Sequence, residues 1–310
     1  MIALNHVSKR YGAFSALEDL TFTAPRGQVV GLLGQNGAGK TTTLNILTGY
    51  LPPTQGTVTV GEFDMLKNPR LAKALMGYLP EKPPLYDEMT VEGYLKFVCR
   101  LKGVERRAVA GHVAEILNTT GLTDVARRPL GHLSKGYRQR AGIAQALCGA
   151  PEVLVLDEPT VGLDPRQVVE IRELITRLGQ THTVIFSSHM LAEVQQLCQR
   201  VIILHGGRMV RECDLTQAAA HPRKYRVTIA LNEKALTPAL RSIEGVERVK
   251  ILPTFDASLT EATLEAADAD FPRRLFTLCA GLDAPILRLT PLADSLEEIF
   301  LEATGREAKA

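Results

Sequence analysis

Gly34-Gln35-Asn36-Gly37-Ala38-Gly39-Lys40-Thr41 follows directly on an apolar run, Gln28 to Leu33, and opens a stretch that starts well as a helix, Thr41 to Thr48. Strand, Gly-rich turn and helix in that order are the setting the G-x-x-x-x-G-K-T pattern requires. Glycines let the backbone curl with its N–H groups pointing inward, and the positive end of the following helix adds to them, so a phosphate meets several donors at once. On this reading Gly34, Gln35, Asn36, Gly37, Ala38 and Gly39 cradle a β-phosphate, and Thr42 belongs to the same phosphate-binding helix start. Lys40 reaches the β- and γ-phosphates, and Thr41 places its hydroxyl on Mg2+.

Further along, Val153 to Leu156 is a short all-apolar strand of the kind buried in a parallel sheet, and it ends in two carboxylates, Asp157 and Glu158. Such a strand delivers charge to the sheet edge where the phosphate loop also ends. Asp157 is a candidate Mg2+ ligand and Glu158 a candidate base for an attacking water. Strand-like stretches at Ile2 to Val7, Leu20 to Ala24, Thr57 to Val60, Thr183 to Ser187 and Val201 to Leu204 surround these two. A helical region from about Val91 to Leu122 is interrupted at Gly103 and Gly121. Strands alternating with helices predict an α/β domain over residues 1–217, with a helical subdomain at about 85–150.

Past the break at Ala218 to His221 the pattern changes to half-buried alternation, Tyr225, Val227 and Ile229 against Arg226, Thr228 and Ala230. The order that follows is a helix at Lys234 to Ile243, strands at Val246 to Leu252 and Ser258 to Glu265, a helix at Pro272 to Gly281 and a strand at Ile286 to Leu289. This β-α-β-β-α-β order predicts a ferredoxin-like α+β domain over residues 222–310. Ser295 and Glu298 form a capping box for a closing helix to Thr304, stopped by Gly305.

Between the loop and the carboxylate strand lies Leu133-Ser134-Lys135-Gly136-Tyr137-Arg138-Gln139-Arg140. With it, the set of motifs resembles the ATP-binding subunits of ABC transporters, strongly over residues 1 to about 215. The LPE and LSKGYRQR segments are similar to the branch that serves multi-span exporters, including gliding-motility-type and copper-maturation-type systems. The resemblance implies a P-loop ATPase core that hydrolyses ATP with Mg2+ as a head-to-tail homodimer. It further implies a peripheral position at the cytoplasmic face of the membrane, energising a separate permease for export.

Residue roles follow from the same resemblance. Ser134, Lys135, Gly136 and Tyr137 match the signature that caps the γ-phosphate held by the other subunit. Tyr11 matches the aromatic that stacks on adenine, Asp164 the loop that communicates across the dimer, and His189 the histidine that contacts the γ-phosphate. Glu81 stands where the family usually has a Gln that touches Mg2+ and senses the membrane partner. Lys135 and Tyr137 replace the usual Gly and Gln of the signature. The C-terminal domain resembles the small accessory domain of the exporter branch.

Composition sets the background. The 310 residues, 45% hydrophobic and 23% charged with no Trp, fit an ordinary folded protein of about two domains. Thirty-six Lys and Arg against 34 Asp and Glu leave +2, too little for nonspecific attraction to nucleic acid, and no nucleic-acid partner is expected. The alternative, a soluble ABC-type ATPase acting on nucleic acid or ribosomes, usually carries two cassettes or a long coiled coil. Here about 120 residues separate the two motifs and sustained heptads are absent. Apolar runs fall well short of a membrane span, and the start, MIALNHVSKR, has no secretory pattern, so a cytosolic compartment is expected. The five cysteines are scattered without a C-x-x-C pair and read as ordinary thiols.

Overall fold

Every residue of Val29–Leu33 (β3) is buried, as a strand covered on both faces of a parallel sheet must be. The computed structural model describes residues 1–216, 224–254, 256–266, 270–292, 297 and 300. It divides the chain into two compact units, Met1–Cys213 and Asp214–Ala310.

In the first unit, β1 (Ile2–Tyr11), β2 (Phe14–Ala24), β4 (Gln55–Val60) and the short β5 (Phe63–Asp64) form a sheet in the order β2-β1-β4-β5. Its pairings are antiparallel. β1 and β2 run several residues beyond their apolar stretches and pair through register shifts between Leu4 and Val7, Val7 and Lys9, and Lys9 and Arg10, with Lys9 half-buried and Arg10 and Tyr11 exposed.

The larger sheet adds β6 (Met76–Leu79), β7 (Val153–Asp157), β8 (Thr183–Ser188), β9 (Arg200–His205) and β10 (Arg208–Asp214), in the order β10-β9-β3-β8-β7-β6. From β9 through β6 each neighbour is parallel. Register decides what meets at the carboxyl edge. Leu33 pairs with Ser188, and Asp157 pairs with Ser187, so the glycine-rich 34–39 loop and both carboxylates leave the sheet on either side of β8. Beneath that edge Val30, Leu32, Leu44, Ile46, Val155, Ile185 and Ile202 share one apolar cluster.

Seven α-helices lie in the described part of this unit: α1 (Lys40–Leu47), α2 (Pro69–Ala74), α3 (Val91–Leu101), α4 (Val109–Thr120), α5 (Lys135–Leu147), α6 (Pro165–Gly179) and α7 (Leu191–Leu197), with short 3-10 turns at Thr123–Val125 and Leu130–His132. α3, α4 and α5 pack on one another, and Gly121 ends α4 in the left-handed conformation at φ 65°. α5 also lies against β6 at close range. A Cβ added to Gly77 would stand 2.0 Å from the Ala146 carbonyl oxygen. Gly77→Ala is therefore expected to push β6 off α5 and to cost about 1–3 kcal/mol, as overpacking does. Urea unfolding of the full chain, read as a lower midpoint, checks it.

The second unit runs β11 (Lys224–Ile229), α8 (Glu233–Arg241), β12 (Val246–Leu252), β13 (Thr260–Ala266), α9 (Phe271–Gly281) and β14 (Ile286–Leu292). Its sheet, β12-β13-β11-β14, is antiparallel throughout, with the first and third strands central as the β-α-β-β-α-β reading anticipates. Tyr225, Val227 and Ile229 point into a core with Leu236, Leu240, Leu264, Phe271 and Leu275, while Arg226 faces out. The break at Ala218 to His221 and the capping box of Ser295 and Glu298, with its helix to Thr304 and Gly305, lie outside the described residues. Among the described residues no helix is long and apolar enough to cross a membrane.

Candidate active site

The loop after β3 bends where the glycines allow it. Gly37 and Gly39 adopt φ values of 81° and 105°, in the left-handed region that glycine enters without a Cβ penalty. A Cβ on Gly34 would stand 2.6 Å from the Leu204 carbonyl oxygen and 2.8 Å from the Ala38 Cβ. The Ala38 N–H donates to the Gln35 carbonyl at 3.1 Å and closes the turn. α1 then begins at Gly39 with no side-chain cap and no acidic residue in its first turn. Its leading N–H groups and partial positive charge are thus left for an anion.

Lys40 is 7% exposed, and its ammonium turns back over the loop. Nζ donates to the Gly34 carbonyl at 2.7 Å and to that of Gln35 at 3.5 Å, and lies 3.4 Å from Glu158 Oε1. Thr41 is exposed and Thr42 half-buried at the same helix start.

Across β8, Asp157 is 2% exposed. The Ser187 hydroxyl donates to Asp157 Oδ1 at 2.7 Å and accepts the Glu158 N–H at 2.9 Å, so one serine holds both carboxylate residues. Burial pushes the Asp157 carboxyl above its ordinary range, and the Glu158 and Glu81 charges add to this, while Ser187 and Lys40 act against it. Tyr78, on β6, is pushed up to about 12, mainly by burial and then by the Asp157 charge. Glu158 sits at φ 47°, a left-handed conformation that costs a non-glycine residue of order 1 kcal/mol or more. That bend turns its carboxylate away from the strand, and Oε2 meets His189 Nδ1 at 2.8 Å. His189 is half-exposed at the open side.

Lys40, Asp157, Glu158 and His189 thus converge beside the glycine-rich turn and the uncapped start of α1. The sequence profile of the ABC transporter family matches residues 17–161. The uncharacterized ABC transporter ATP-binding protein YxlF of Bacillus subtilis (strain 168) is 32% identical over 97% of this chain and 99% of its own. The chain belongs to the ATP-binding proteins of ABC transporters. The linearmycin resistance ATP-binding protein LnrL of the same organism is 31% identical over 99% of each chain. The dimeric structure of MJ0796, a bacterial ABC transporter cassette, is 25% identical with a TM-score of 0.63, over 69% of this chain and 99% of that one. This ABC transporter subunit is accordingly an ATPase, with the mixed α/β cassette fold described above.

The remaining residues singled out from the sequence of this ABC cassette make no hydrogen bond to that cluster. Ser134 caps α5, accepting the Tyr137 N–H at 3.5 Å, and no hydrogen bond or ion pair joins Ser134 or Gly136 to Lys40, Asp157 or Glu158. Gly136 is covered by Gln167 of α6, whose side-chain carbon would be 2.7 Å from an added Cβ. Lys135 lies over Gly162, its Nζ occupying the space a Cβ there would need. Asp164 caps α6 by accepting the Gln167 N–H at 2.9 Å, with Pro165 first in the helix. Glu81 is exposed, within electrostatic reach of Asp157. Tyr11 ends β1 about half-exposed, with the Lys9 ammonium 5.2 Å from its ring centre.

The segment after Glu81 is fastened to α5. Arg138 donates to Asp87 at 2.6 Å and to the Leu130 carbonyl at 3.0 Å, and the Tyr94 hydroxyl bridges the Pro84 carbonyl and Gln145. Ser187 is the site residue that sequence reasoning missed. Its signal is a hydroxyl directly after the apolar run Val184 to Phe186.

Proposed function

We propose that this ABC transporter ATP-binding protein closes head to tail around ATP and drives a separate multi-span permease for export. The observation that carries the reading is the convergence of Lys40, Glu158 and His189 beside an uncapped helix start, while the Ser134 end of α5 makes no bond to them. A chain so arranged holds half of each site. Lys40, Thr41, Asp157, Glu158 and His189 of one subunit face Ser134 and Gly136 of the other across the triphosphate. Lys135 and Tyr137 flank the signature and Asp164 lies in the loop at the seam.

The chemistry follows from the residues. The loop amides from Gly34 to Gly39 and those of Lys40, Thr41 and Thr42 bind phosphate oxygens, and Tyr11 stacks on the adenine. Glu158 takes a proton from the attacking water, whose oxygen bonds to the γ-phosphorus as the bond to the β–γ bridging oxygen breaks and ADP leaves with that electron pair. His189 steadies Glu158 and the γ-phosphate. Among the described residues no group of three or more His, Cys, Asp or Glu could hold a metal ion by itself. Thr41, Asp157 and Glu81 fit instead a Mg2+ shared with phosphate oxygens and water, its usual mode of binding. Mg2+ when bound neutralises phosphate charge.

Closure displaces a permease docked at residues 81–86, which Asp87 and Arg138 link to α5. The export direction is supported by the LnrL relative, named for linearmycin resistance. We assign residues 1–217 to the ATP-binding domain, 85–150 to its helical subdomain, and 222–310 to an accessory domain that stabilises the dimer. The site of action is the cytoplasmic membrane face.

Purifying tagged Glu158→Gln protein with ATP and Mg2+ from detergent-solubilised cells tests the transporter assignment. A stoichiometric partner with several apolar segments of about 20 residues is expected. Ribosomal or nucleic-acid partners with no integral membrane protein would overturn it.

A further inference from the structure

Glu193 is a buried carboxylate that the proposed chemistry does not use. It lies in the first turn of α7 and is 2% exposed. Its Oε2 accepts two hydroxyls, Thr160 Oγ1 at 2.8 Å and Ser188 Oγ at 3.0 Å. Its Oε1 is buried without a hydrogen-bond partner. A carboxylate held out of water with one oxygen unpartnered costs stability, and an apolar side chain of similar size would avoid that cost. Its two partners show what is obtained in return.

Ser188 and Thr160 belong to different segments. Ser188 ends β8, immediately before His189, and its Oγ also accepts the Met190 N–H at 3.0 Å, so the residues on both sides of His189 are tied to one hydroxyl. Thr160 stands two residues after Glu158, and its carbonyl accepts the Leu163 N–H at 3.2 Å, closing the turn that leads to Asp164. Glu193 therefore fastens the backbone that carries His189 to the backbone that carries Glu158 and the 161–164 loop. The contact this bracing protects is the 2.8 Å approach of His189 Nδ1 to Glu158 Oε2. Movement of either segment by an ångström would undo it.

We propose that Glu193 is a positioning residue for ATP hydrolysis, which fixes His189 and the Glu158-to-Asp164 segment relative to each other through Ser188 and Thr160. The proposal rests on the reading of Glu158 and His189 as hydrolytic groups. Glu193 touches neither nucleotide nor water in this role; it acts by holding other residues where they must be.

Steady-state hydrolysis and ATP binding of the purified full chain test it. Glu193→Ala removes the brace and is expected to lower kcat about 10- to 100-fold, the scale of an ångström's misplacement, with the ATP dissociation constant within about threefold of wild type. Glu193→Gln can accept both hydroxyls on its amide oxygen and is expected to restore kcat to within about threefold. Thr160→Val and Ser188→Ala each remove one hydroxyl and are expected to lower kcat with binding retained. They decide the matter if Glu193→Ala does not fold.

A kcat within about twofold of wild type in these variants overturns the proposal, and so does a parallel fall in kcat and ATP affinity, which marks a merely structural role. His189→Ala, measured alongside, separates the two levels. Unchanged turnover there removes the reading of the site itself. Lost turnover there, with normal kcat in the Glu193, Thr160 and Ser188 variants, removes only the role of Glu193.

Discussion

Glu158→Gln should bind ATP at least as tightly as the native subunit and hydrolyse it roughly 10²–10⁴ times more slowly, the range expected when a general base is lost. The amide keeps the size of the carboxylate, so the left-handed backbone at Glu158 and the Ser187 bond to its N–H are retained. His189 can still donate to the side-chain oxygen. What disappears is the proton acceptor, together with the negative charge 3.4 Å from Lys40 Nζ. Removing that charge from beside the triphosphate favours the bound state, so the variant should accumulate an ATP-stabilised dimer. Single-turnover hydrolysis, nucleotide-binding fluorescence and sedimentation with ATP and Mg2+ check the three parts. Normal turnover would take Glu158 out of the base role.

Lys40→Met is expected to act on binding first. The substitution keeps the buried stem and deletes the cation, so the core beneath it is undisturbed. Truncating one member of a buried charge pair costs about 2–5 kcal/mol, which at 1.4 kcal/mol per tenfold weakens ATP binding by roughly 30- to 4,000-fold. Calorimetric titration of the purified subunit with ATP and Mg2+ measures this directly. The unliganded variant should remain folded, because Glu158 keeps its His189 contact at 2.8 Å. Binding within about threefold of native would show that Lys40 holds the loop rather than the nucleotide.

Much of this was legible in the residues alone, and the reasons are local. GQNGAGKT can be read because backbone curl, helix start and cation all lie within eight consecutive residues. Val153 to Glu158 can be read because an abrupt change from apolar to acidic has few other uses. β6 escapes such reading, since Met76–Leu79 is four residues long and includes a glycine and a tyrosine. Ser187 and Glu193 escape it for a different reason. Their partners, Asp157 at 30 positions' distance and Thr160 at 33, are brought near only by the parallel pairing of β7 with β8 and by α7 folding back on it. In the signature, the resemblance says nothing of where Lys135 rests within its own chain, and there its ammonium lies over Gly162. Long flexible side chains find neighbours that linear spacing does not encode.

Lys40 rests on the Gly34 carbonyl at 2.7 Å with Glu158 Oε1 at 3.4 Å, so this buried cation is satisfied from within the chain. On the proposed function, nucleotide binding is an exchange of partners for that ammonium, not the quenching of a bare charge.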